Sequence, residues 1–209
     1  MIKGIIFDFD GVIVDSEPLY IETLLEYLAG LGVKTSEEKI SYVVGQNLND
    51  IGSDIISQFG LNMTVEEFVN DSRAYYFQRN KNADYPLLPG IKKFIERCHQ
   101  KKLAICVASS SGYEYLHKIL ESKKLLPYFR FILSGEDFVH SKPDPEIYNK
   151  AAELLGIEKE GSMIIEDSLH GVMAGKASGI FTVAYKGAKF KQDTPMADLE
   201  ICDFKELNI

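Results

Sequence analysis

Four short segments carry the residues from which a site could be built. Asp8-Phe9-Asp10-Gly11 sets two carboxylates two positions apart, and extended backbone would hold both on one face. Crowding makes at least one such carboxylate harder to ionise, which suits an acid/base beside an anionic nucleophile or ligand. Asp and Gly equally favour the turn that ends a strand. Ser109-Ser110-Ser111 offers hydroxyls and backbone N–H groups, an anion site if a helix starts there and plain capping otherwise. Lys142 precedes Pro143, which favours extended backbone; its ammonium would serve as a point charge for phosphate or simply be solvated. Glu166-Asp167 closes an apolar run, where buried acids need a partner such as a hard divalent cation, or where Asp167 caps a helix.

Three of these segments directly follow an apolar run, and Lys142 follows one after a short loop. The runs span 2–7, 103–108, 131–133, 162–165, 181–184 and, more weakly, 199–201, and read as strands buried on both faces. Helical patterns lie between them. Ile91, Phe94, Ile95 and Cys98 form the i, i+3, i+4, i+7 stripe of an amphipathic helix. Asp144 and Pro145 read as N-cap and first residue of a helix ended by Gly156. Ser168 or Asp167 can cap a helix through the small residues Gly171, Ala174 and Gly175. Such alternation predicts a doubly wound, mostly parallel α/β sheet with a Rossmann-like core. Ligands of such sheets bind beyond the carboxyl ends of the strands, so the four segments would share one rim.

Residues 17–85 break the alternation, with helical patterns over 18–31, 36–43, 48–59 and 64–79 and no convincing strand. They read as a helical domain inserted into a core formed by 1–16 and 86–209. The 209-residue chain is 45% hydrophobic and 26% charged, ordinary for a folded protein with a sizeable core. A net charge of −8 argues against nucleic acid or an anionic membrane as partner. Three widely spaced cysteines, Cys98, Cys106 and Cys202, form neither a disulfide framework nor a zinc pattern. With no apolar stretch of membrane-spanning length and no leader pattern, a cytoplasmic protein is expected. The four histidines show no metal-ligand spacing.

Taken together and in order, these motifs resemble the haloacid dehalogenase superfamily of aspartyl-phosphate hydrolases and mutases. The resemblance rests on DFDGV at 8–12, DSEPL at 15–19, the serine of ASS at 108–110, SKPDPEIY at 141–148 and IIEDSLHGVMAG at 164–175. It spans essentially the whole chain and is strongest to the β-phosphoglucomutase-like group, whose cap domain lies where 17–85 is inserted. The resemblance implies Asp8 as nucleophile and Asp10 as general acid and then base. It implies Ser109, Lys142 and the backbone of Gly11 and Ser110 as phosphoryl-binding groups. Mg²⁺ would be held by Asp8, the Asp10 carbonyl and Asp167, with Glu166 as ligand or supporting group.

The insertion is expected to cover the site and supply substrate contacts, with Gln46 and Asn47 in the loop that resembles the family's specificity loop. Leu48 stands where the mutases carry an arginine for a second phosphate, and Tyr20 where many relatives carry histidine. The expected activity is therefore a Mg²⁺-dependent phosphatase on a small phosphorylated metabolite such as a sugar phosphate, acting as a monomer. The alternatives are a β-phosphoglucomutase-type mutase and, more remotely, a non-catalytic phosphometabolite-binding regulator. Asp8, Asp10, Glu166 and Asp167 outnumber Lys142, so a divalent cation and a proton on Asp10 become requirements for attracting phosphate.

Overall fold

A computed structural model describes residues 1–44, 46 and 48–209. From the N-terminus the chain forms β1 (Gly4–Phe7), then four helices, α1 (Glu17–Gly30), α2 (Glu37–Ile40), α3 (Leu48–Phe59) and α4 (Val65–Arg79). Alternating elements follow: α5 (Ile91–Gln100), β2 (Ala104–Ser109), α6 (Tyr113–Ser122), β3 (Ile132–Ser134) and α7 (Glu146–Leu155). The chain ends with β4 (Ser162–Glu166), α8 (Leu169–Ser178), β5 (Phe181–Tyr185) and β6 (Leu199–Ile201). Two compact units result: Met1–Asp15 with Tyr85–Ile209, and Ser16–Asp84. Among the described residues no helix is long and apolar enough to cross a membrane.

The first unit is built on a six-stranded sheet in the order β3-β2-β1-β4-β5-β6, parallel throughout. The chain passes from β1 to β2 and β3 on one side, then returns to β4 on the other. That reversal opens a crevice at the carboxyl ends of β1 and β4. β1 is buried along its whole length because it is central and covered on both faces. Its alternation sorts the faces: Ile6 joins Cys106, Ile164, Tyr148 and Ala151 in the core on the α7 side. Phe7 meets Phe94 of α5 and Phe129 edge-on, with ring centroids 5.9 Å away in both cases. Each large apolar side chain so buried contributes about 2 kcal/mol.

Burial on both faces fails at edge strand β6 and at the first residue of β5. Leu199 of edge strand β6 is 40% exposed, and Phe181, which opens β5, is 44% exposed. The 36–43 pattern resolves into α2 and a single 3₁₀ turn over Ser41–Val43. α7 starts one residue later than the Asp-Pro pair suggests: Pro145 takes the cap position, while the Asp144 carboxylate accepts from Glu146 N at 2.9 Å. Ser168, not Asp167, caps α8, its hydroxyl accepting from Gly171 N at 3.0 Å.

The second unit packs α1, α3 and α4 together. Tyr27 of α1 meets Phe68 and Tyr75 of α4 with ring centroids 5.6 and 5.7 Å away. A capping box between Thr64 and Glu67 starts α4, and Arg79 near its end pairs with Glu22 and Glu26 of α1 at 3.2 and 3.0 Å.

Candidate active site

The pleat of the sheet aims the site. Phe7 is in register with Ile165, and Asp8 N continues the ladder by donating to the Ile165 carbonyl at 2.9 Å. Asp8 is two residues beyond Ile6, and Glu166 two beyond Ile164, so both project toward α7 with those core residues. Lys142 reaches them from the loop before α7. Its ammonium donates to Asp8 Oδ1 at 2.5 Å and to Glu166 Oε1 at 2.7 Å, with only 7% of its side chain exposed. The Lys142–Pro143 peptide bond is cis. Tyr148, one turn into α7, donates its phenol to the same Glu166 oxygen at 2.8 Å, and Lys142 Nζ lies 4.8 Å from its ring centroid.

The other Glu166 oxygen accepts from Asp167 N at 2.9 Å and from both the backbone N and the hydroxyl of Ser168 at 3.0 Å. Asp8, Glu166 and Asp167, all buried, each offer an oxygen within 4.8 Å of the others. Two glycines make this convergence possible. A Cβ on Gly11, whose φ of +76° already favours glycine, would run into the Asp167 carboxylate. A Cβ on Gly171 would run into that of Glu166.

Charge is unevenly matched here. Burial pushes the Asp8 carboxyl up to about 8; Lys142 opposes the shift, while Glu166 and Asp10 reinforce it. Burial also works against the Glu166 carboxylate, but Lys142 and its other donors prevail and hold it below the usual range. Lys142 loses by burial and gains more from Asp8 and Glu166, so it stays charged, above the ordinary lysine value. Burial and the nearby Glu166 charge keep the Tyr148 phenol protonated as a donor. Three clustered buried carboxylates, only two of them paired with the Lys142 ammonium in the contacts above, offer oxygen donors that fit a hard divalent cation such as Mg²⁺.

Asp10 points elsewhere. Its carboxylate is not part of the acidic cluster; Oδ2 accepts from the Ser111 hydroxyl at 2.7 Å and Oδ1 from the Tyr115 phenol at 2.8 Å. Ser109 is buried at the end of β2, where its hydroxyl accepts from Ser111 N at 3.1 Å, and Ser110 beside it is exposed. Gln46 belongs to the helical unit, before α3, and its buried Oε1 has no hydrogen-bond partner among the described residues. Asn47 lies outside the described residues. Sequence reasoning missed Tyr148, Tyr115 and the individual part of Ser111. The signal for the last two was their i, i+4 spacing across the start of α6.

Residues 5–185 match the model of the haloacid dehalogenase-like hydrolase family, so the chain belongs to that family. It is similar to hexitol phosphatase B of Escherichia coli strain K12, with 28% identity covering 99% of this chain and 94% of the relative. A phosphorylated carbohydrates phosphatase of Thermotoga maritima is 28% identical over 85% of this chain and 82% of its own length. The crystal structure of β-phosphoglucomutase from Clostridium difficile shares the fold, with a TM-score of 0.74 and 21% identity over 100% of this chain and 94% of that one. Within its family the protein is a phosphoric monoester hydrolase.

Proposed function

We propose that this protein hydrolyses the phosphate ester of a small sugar or sugar alcohol in the cytoplasm, with Mg²⁺, through a phosphoryl group carried on Asp8. The observation that carries the reading is the Lys142 ammonium lodged between Asp8 and Glu166 at 2.5 and 2.7 Å, with Asp10 two residues from Asp8. The named activities of the hexitol and carbohydrate phosphatases support the substrate class. The three free thiols, two of them buried, agree with a reducing compartment.

Asp8 attacks phosphorus, the ester P–O bond breaks, and Asp10 gives its proton to the departing oxygen. Water then attacks the phosphorus of the aspartyl phosphate, losing a proton to Asp10 as the Asp8–phosphorus bond breaks. Lys142, Ser109 and the backbone N–H of Ser110 take the transferring oxygens; Gly11, expected from the sequence to add its N–H, instead donates it to the Val14 carbonyl at 2.8 Å. Asp8, the Asp10 carbonyl and Asp167 would hold Mg²⁺. Glu166 has both oxygens engaged with Lys142, Tyr148, Asp167 N and Ser168, so its part is to hold Lys142 in place. When bound, Mg²⁺ offsets the repulsion between the Asp8 carboxylate and the incoming phosphate.

A mutase must also bind a second phosphate, and Leu48 has no charge to offer at the position where the mutases carry arginine. The test is a panel of sugar, hexitol and aryl phosphates with free phosphate as readout. Turnover is expected with Mg²⁺, is lost on chelation, and falls at least about 10³-fold in Asp8→Asn. Turnover surviving in Asp8→Asn would refute the mechanism, and glucose 6-phosphate formed from β-glucose 1-phosphate would mark a mutase instead.

A further inference from the structure

A general acid has to be aimed, and the start of α6 supplies two donors to the Asp10 carboxylate. Ser111 and Tyr115 lie four residues apart across that helix end. Long helical side chains lean toward the N-terminus, so the Tyr115 phenol returns to the strand rim instead of pointing along the sheet. It donates to Asp10 Oδ1 at 2.8 Å while Ser111 donates to Oδ2 at 2.7 Å, so each carboxylate oxygen has its own donor. The ring is itself held. It stands edge-on to Phe9, the neighbour of Asp10, and to Tyr85, with centroids 5.8 and 5.3 Å away.

We propose that Tyr115, assisted by Ser111, is the positioning residue that fixes the Asp10 carboxyl plane for its two proton transfers. Each carboxyl oxygen has two lone-pair sites, so the two hydroxyls can keep donating while the transferable proton occupies another site. This rests on the reading of Asp10 as acid and base. Correct aim matters because a general acid acts only within hydrogen-bond reach of the oxygen it protonates.

Tyr115→Phe retains both ring contacts and removes only the phenol oxygen. The ratio kcat/KM reports events up to loss of the leaving group. p-Nitrophenolate leaves without a proton, whereas the alkoxide of a hexitol phosphate needs one. Tyr115→Phe should therefore lower kcat/KM roughly 10- to 100-fold for the best alkyl phosphate of the panel and less than about threefold for p-nitrophenyl phosphate. It should lower kcat on both, because Asp10 must accept the water proton in either case. Ser111→Ala should move the same ratio in the same direction and provides a second probe if Tyr115→Phe folds poorly. Equal losses of kcat/KM on the two esters, or no loss of kcat/KM on either, would overturn the proposal. Failure of the underlying reading looks different: Asp10→Asn would then leave turnover of the alkyl ester intact.

Discussion

Lys142 shows how much one residue decides. A lysine with 7% of its side chain exposed pays a heavy desolvation cost, and only the two carboxylates in contact with it make its charge tolerable. Their dependence is mutual, since each acid would otherwise be buried without a cation. Lys142→Met should therefore do two separable things. Removing one partner of such a pair costs about 3 to 5 kcal/mol, read as a lower urea midpoint. Loss of the charge facing the phosphoryl oxygens should lower kcat at least about 10²-fold, even at temperatures where the variant is fully folded. A variant that folds as well as the parent and turns over normally would remove Lys142 from the account. Tyr148 works through the same contact. Its phenol shares the Glu166 oxygen with the ammonium, so the acid stays aligned without being drawn away from Lys142.

Elements turn these residues into a site, and they differ in how plainly the sequence announces them. All six strands and the helices between β1 and β2 were readable from apolar runs and their period, because the central strands are buried on both faces and show it in composition. Also readable were the segments at the strand ends, since the order of acids, serines and lysine there is unusual. Tyr115 and Tyr148 were not, because an aromatic residue on an amphipathic helix looks the same whether it fills a core or donates to a carboxylate. Only register and helix direction reveal the difference. The same holds for Asp198, a loop residue before β6 with no motif around it. It accepts from the Lys176 ammonium near the end of α8 and from Thr182 N of β5 at 2.8 Å, tying two elements to the start of a third. Burial works against its charge, but these donors prevail and hold it below the ordinary aspartate value. A carboxylate lowered by folding stabilises the protein above its unfolded value, about 3.9, and loses that contribution as pH falls through the folded value. Asp198→Asn should thus cost about 1 kcal/mol at pH 7, with the urea midpoints of variant and parent converging below about pH 4. A constant difference across that window would show that the ion pair is not the source.

For the whole molecule, a net charge of −8 provides no long-range pull on an anionic substrate. In the proposed mechanism attraction is local: Lys142, the backbone N–H groups at the strand ends and a cation held by Asp8, the Asp10 carbonyl and Asp167 would outweigh the acids around them. The parallel sheet achieves this by bringing segments more than a hundred residues apart in sequence to one rim, Asp8 against Lys142 among them. Everything proposed for the chemistry passes through one covalent state, a phosphoryl group on Asp8. Asp10→Asn should trap it, because p-nitrophenolate departs without a proton while the following attack of water lacks its base. The decisive measurement is peptide mass analysis of Asp10→Asn after acid quench from p-nitrophenyl phosphate and Mg²⁺. The account predicts one added phosphoryl mass on the peptide containing Asp8, absent when Asp8→Asn is introduced as well. Phosphate release with no phosphoryl group on that peptide, or with the group on another residue, would contradict it.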